Sequence, residues 1–151
     1  MLPKVKWSDL NTNMKRHLLL IPIILVAFGV RLYRINTPLA DWHSWRQADT
    51  AAVTRRYVQE GIDLLHPRYD DLSSIPSGQD NPQGYRMVEF PFVNGLTAWL
   101  YKVIPEAQTL PIHVFSRLIS IIFSLGSLVF LYLLTNRLSG FLTAAAAATV
   151  F

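Results

Sequence analysis

From Leu118 to Thr135 the chain runs without a charged side chain, bracketed by Arg117 on one side and Asn136-Arg137 on the other. In an α-helix that run covers about 27 Å, close to the roughly 30 Å of a bilayer's hydrocarbon layer. Inside such a layer no water is available to the backbone, so every N–H and C=O must be satisfied within the segment, which a helix does and an isolated strand does not. The run directs the chain towards an all-α integral membrane fold, and the remaining segments are placed around it.

Leu18 to Val30 is a second stretch without a charge, and extended to Ile35 it reaches the short end of a spanning length. Ala27-Phe28-Gly29 is a small-x-small triplet after this stretch, so a cleaved signal peptide is the alternative to a span. A third apolar segment opens at Phe141 after Ser139-Gly140 and runs to Phe151. At 1.5 Å per residue it covers only about 16 Å, so it is expected to be the start of a further span and the sequence the front part of a larger polytopic protein. The expected order is a basic lead over residues 1–17, spans at 18–35 and 114–135, a turn at 136–140, and the truncated span at 141–151.

Half of the residues are hydrophobic (51%) and only 16% are charged, against about 25% charged in soluble domains. The net charge of +4 does not imply nucleic acid, because Lys4, Lys6, Lys15 and Arg16 cluster ahead of the first apolar stretch, where they act as an orientation signal. With Arg137 in the short turn, they place the N-terminus in the cytoplasm and residues 36–113 outside it. The absence of cysteine removes disulfides, thiolate metal sites and a cysteine nucleophile.

The long loop holds nine of the ten acidic residues. Within it, Gln47 to Glu60 carries apolar residues at helical spacing with Gly61 as a stop, and 91–103 begins at Pro91 and includes Trp99 and Tyr101. Both are expected to be amphipathic surface helices, near 47–60 and 91–103. Tyr69 to Gly84, rich in Asp, Ser, Pro, Gly and Asn, is expected to be a surface loop, either mobile or able to close over a substrate.

Between the first span and the first surface helix lies Asp41-Trp42-His43-Ser44-Trp45-Arg46-Gln47-Ala48-Asp49. Asp41, close to a low-dielectric boundary, suits a general base; its alternative role is a helix cap. Asp49 is the second catalytic candidate, with a dipole-stabilising role or a pair with Arg46 as its alternative. Arg46 matches a phosphate in a bidentate way or pairs with a carboxylate. His43 can carry a proton, and with Asp41 and Asp49 it makes a candidate set for a divalent metal, although no zinc-type spacing is present. Trp42 and Trp45 can stack on a sugar or anchor at the interface. Glu89, alone among apolar neighbours, calls for a partner such as Arg86 or an arginine of the first helix, or else serves a site. No phosphate-binding glycine loop and no nucleic-acid motif is present.

The first span ending in Arg31-Leu32-Tyr33-Arg34-Ile35, the Asp-containing outer loop, Glu89-Phe90-Pro91-Phe92, Arg117 leading into a span, and Asn136-Arg137-Leu138-Ser139-Gly140 together resemble the start of a polytopic GT-C glycosyltransferase. The nearest branch is the group of dolichyl-phosphate-mannose protein mannosyltransferases and aminoarabinose transferases. The resemblance implies an inner-membrane, multi-pass enzyme taking a sugar from a polyprenyl-phosphate donor to a lipid, glycan or protein acceptor on the outer face. It also implies an acidic residue of the first outer loop at the active centre. The family's Asp-Glu pair would fall at Arg46-Gln47, a departure that leaves Asp41 and Asp49 as the catalytic candidates. His43, Trp45, Arg46, Gln47 and Glu89 are then the substrate-binding candidates. The alternative is a non-enzymatic membrane subunit or transporter fragment whose outer loop binds a partner.

Overall fold

The computed structural model describes residues 17–39, 44–74 and 78–151. These residues form five α-helices: α1 (Leu20–Leu32), α2 (Ser44–Glu60), α3 (Phe92–Val103), α4 (Ile112–Ser139) and α5 (Phe141–Val150), with a 3-10 turn at Pro105–Thr109 between α3 and α4. Among the described residues there is no strand, only an isolated bridge between Arg68 and Tyr85. The chain divides into two compact units, Arg34–Ile119 and the two terminal stretches Met1–Tyr33 and Ser120–Phe151.

In the unit of the terminal stretches, Leu20, Leu128, Tyr132, Ala144 and Ala148 are buried together, with Ile23, Ile24, Ala27 and Val129 packed against them. Ala144 and Ala148 lie one turn apart, and their small side chains let α1 and α5 approach closely. Arg31 turns back into this unit, its Nε donating to Ser124 Oγ at 3.1 Å and its Nη1 to Ala27 O at 3.2 Å.

One described helix, α4, is long and apolar enough to cross a membrane: it has 28 residues, and its most apolar window has a mean hydropathy of 2.3. Only 17% of that window is buried inside the protein, whereas a soluble core helix would be mostly covered. The first span expected over 18–35 is not present at that length. α1 has 13 residues, about 20 Å of helix, and Tyr33 and its successors leave it in turns, with Arg34 at φ 58°. Pro22 is accommodated in its first turn, where the missing N–H has no intrahelical partner to lose. A single span is therefore evident among the described residues, where two were expected.

In the unit Arg34–Ile119, α2 and α3 pack through Val53, Tyr57 and Ala98, with Val58, Leu64 and Tyr69 around them. Gly95 leaves room on α3 for Leu64 from the segment after α2, since a Cβ there would come within 2.6 Å of Leu64 Cδ2. Ala107, Phe115 and Ile119 form a second cluster with Leu100 and Tyr101. α2 starts at Ser44, earlier than the expected Gln47, and stops at Glu60 because Gly61 takes φ +112°. The polar loop that follows is stapled at both ends. Tyr69 N donates to Gly84 O at 2.8 Å and Arg86 N to Pro67 O at 2.8 Å, while buried Asn81 exchanges hydrogen bonds with the backbone of Tyr85. These bonds give residues 67–69 and 81–86 an order that composition alone did not suggest.

Candidate functional site

The charged residues of α2 face a chain segment some forty positions later. Arg46 Nη2 lies 3.1 Å from Glu89 Oε2, and Arg86 Nη1 lies 2.7 Å from Asp49 Oδ2. The two contacts are nested, Arg46 pairing with the later residue of the segment 86–89 and Asp49 with the earlier one. They differ in surroundings, because the Arg46 and Glu89 side chains are 61% and 50% exposed and those of Arg86 and Asp49 only 11% and 24%. Arg86 is further held over the Tyr69 ring, 5.4 Å from its centroid. That contact belongs to a phenol whose pKa is raised, first by burial and then by the charges of Asp71 and Asp49.

Asn94 fixes α3 against the same face of α2, donating from Nδ2 to Thr50 O at 2.8 Å and to Thr54 Oγ1 at 2.9 Å. Thr50 Oγ1 in turn donates to Arg46 O at 2.8 Å. The crevice among Thr50, Arg86, Glu89, Pro91 and Asn94 has a volume of only about 10 Å³, room for a single water. This cluster is a closed polar wall: it can present exposed groups to a ligand but cannot enclose one.

The alternative pairing of Asp49 with Arg46 within α2 is not formed, and Glu89 takes Arg46, with Arg86 going to Asp49. Trp45 is exposed on α2 and Gln47 is half-buried there. Asp41, Trp42 and His43 lie outside the described residues, and with them two members of the candidate metal set of Asp41, His43 and Asp49. Among the described residues no group of three His, Asp or Glu is placed to hold a metal ion. Sequence reasoning missed the part played by Asn94 and by Thr50 and Thr54, whose only signal was a polar residue recurring on an otherwise apolar helix face.

A second polar concavity lies at the other end of α2. Asp63 caps the turn after Gly61, accepting from Leu65 N at 3.0 Å and His66 N at 3.2 Å, with His66 Nδ1 2.9 Å from its other oxygen. The imidazole hydrogen bond, then the Leu65 amide, holds Asp63 below the usual carboxylate range. Tyr57 Oη donates to Asp63 O at 2.8 Å, and burial together with the Asp63 charge pushes the phenol up to about 12. No protein-family model matches this chain, and no curated protein or solved structure matches it.

Proposed function

We propose that this chain forms part of a multi-pass inner-membrane glycosyltransferase, with its N-terminus in the cytoplasm and residues 36–113 outside. It would transfer a sugar from a polyprenyl-phosphate carrier to a hydroxyl of a lipid, glycan or protein. The observation that carries this reading is the two ion pairs Arg46–Glu89 and Arg86–Asp49, which tie together two of the stretches on which the GT-C resemblance rests, the Asp-containing outer loop and the Glu89 segment. The apolar helix α4, little covered by protein, supports the membrane setting.

In this proposal Asp41 is the general base. It takes the proton of the acceptor hydroxyl as that oxygen attacks the anomeric carbon, and the bond from that carbon to the phosphate oxygen breaks, releasing polyprenyl phosphate. Arg46 holds the phosphate. Its contact with Glu89 is solvent-exposed and so worth at most about 1 kcal/mol, which a bidentate phosphate can replace. Trp45, exposed beside it, supplies a face for the sugar. Asp49 keeps Arg86 in place, and through it the Glu89 segment; it remains the alternative base. A divalent ion at Asp41, His43 and Asp49 would supply a further positive charge for the phosphate.

The test is transfer from labelled polyprenyl-phosphate hexoses and pentoses in membrane vesicles carrying the complete reading frame. Asp41→Asn is expected to abolish transfer and Arg46→Ala to raise the donor KM. Activity retained in Asp41→Asn and lost in Asp49→Asn would exchange the two carboxylates' roles. Activity indifferent to Asp41, Arg46 and Glu89 would remove the enzyme reading. It would favour a partner-binding outer loop, the second reading, which draws on the exposed apolar run of Met87, Val88 and Phe90.

A further inference from the structure

The concavity at the C-terminal end of α2 takes no part in the chemistry above, yet it is the roomier of the two polar features of α2. It has a volume of about 330 Å³ and is lined by the aromatic residues Tyr57, His66 and Tyr85 and the charged residues Arg56, Glu60 and Arg68. That volume lies at the small end of ligand pockets, suited to one ring and too small for a lipid chain.

Its charges are already matched. Glu60 accepts Arg56 on one oxygen and Arg68 on the other, the latter at 3.1 Å, while Asp70 takes Arg56 Nε at 3.2 Å and also pairs with Arg55. Asp63 is paired with His66. A phosphate or an ammonium group entering here would have to displace an existing partner, and no field of one sign draws it in. The fixed guanidiniums and carboxylates nonetheless keep donor and acceptor positions beyond those used in their mutual contacts. Neighbouring donors and acceptors of this kind suit vicinal hydroxyls, and exposed His66 and half-buried Tyr85, their ring centroids 5.8 Å apart, offer ring surface to a sugar's C–H side.

We propose that this cavity binds a single neutral sugar ring, the end of a glycan, about 16 Å along α2 from Asp49. Its role as an acceptor-side subsite rests on the glycosyltransferase reading; the binding itself does not. The geometry sets a division along one helix, with exposed Arg46 at one end for a charged carrier and the charge-balanced cavity at the other for an uncharged ring.

The test is saturation-transfer NMR on the full chain in detergent micelles, using methyl mannoside, methyl galactoside, methyl N-acetylglucosaminide and methyl arabinoside, with inorganic phosphate as competitor. At least one glycoside is expected to bind, with affinity falling roughly fivefold or more in Glu60→Gln and in His66→Ala, the loss of about one good hydrogen bond. In the unaltered protein the bound sugar is expected to slow diethyl pyrocarbonate modification of His66, a readout that does not depend on either variant folding. The absence of transfer to every glycoside, unprotected His66, or displacement of the sugar by millimolar phosphate would each overturn the proposal. Sugar binding that persists in a protein without transferase activity would leave the cavity standing and remove only the enzyme reading.

Discussion

Arg86 Nη1 and Asp49 Oδ2 stand 2.7 Å apart with little water around either side chain. Removing the guanidinium leaves a largely covered carboxylate without its partner, so Arg86→Ala is expected to destabilise the protein by about 1–3 kcal/mol. Asp49→Asn and the double variant complete a cycle whose coupling should reach about 1 kcal/mol or more, measured by thermal or denaturant unfolding in detergent. The same cycle on Arg46 and Glu89, both well exposed, should give about 0–1 kcal/mol. Equal coupling in the two cycles would contradict the contrast in burial.

Gly84 and Gly95 make opposite cases for a methyl group. At Gly84 the backbone holds φ +66° and a Cβ would come within 2.8 Å of Tyr69 O, a backbone atom that cannot step aside. Gly84→Ala is therefore expected to cost about 1–3 kcal/mol through strain and local rearrangement. At Gly95 the obstacle is Leu64 Cδ2, the tip of a flexible side chain, and the loss should stay near 1 kcal/mol. The ranking of the two alanine variants by unfolding midpoint is the check.

The sequence made the long apolar helix legible because a charge-free run between polar flanks needs no knowledge of its neighbours. It made the end of α2 legible through Gly61, whose freedom at positive φ is a local property. The length of α1 was not legible in the same way. Apolar composition says which residues tolerate burial, but not that the backbone leaves the helix after Leu32 and turns at Arg34. The two ion pairs were hidden for a different reason. The loop offers many opposite charges, and which of them meet depends on how the chain returns past Pro67 and Tyr69 to bring Arg86 and Glu89 beside α2. The cavity near Tyr57 was hidden too, since two of its linings, Arg68 and Tyr85, come from opposite ends of a stretch whose composition suggested a loose loop.

Arg117 clamps the turn that follows the first apolar stretch, its Nη1 donating to Ile35 O and Thr37 O, each at 2.6 Å. Thr37 closes the same turn on Arg34 O, through its amide at 3.0 Å and its hydroxyl at 2.8 Å. Charge-assisted bonds to two carbonyls are worth about 1.5–3 kcal/mol each at most. Arg117→Ala is accordingly expected to speed amide exchange at Thr37, whose N–H is held by Arg34 O, by roughly tenfold or more, with Arg117→Lys, a single point charge, falling between. Exchange unchanged in both variants would show that the turn holds without the clamp.

Tyr57 sets a pH limit on the packing of α2 against α3. Burial, with the Asp63 charge second, pushes its phenol up to about 12, against about 10 when unfolded. Between those values the folded state binds more protons than the unfolded one, so stability falls as pH rises. The contribution is complete below about pH 10 and is lost as the pH passes through the folded value. A tyrosinate titration followed in the ultraviolet is expected to show one residue ionising near pH 12, together with a drop in unfolding midpoint over that interval. Tyr57→Phe should remove the late step and flatten the alkaline drop. It should also lower stability at neutral pH by about 1 kcal/mol, because the hydrogen bond to Asp63 O is lost. A late titration step that survives the substitution would assign it to another tyrosine and release Tyr57 from this role.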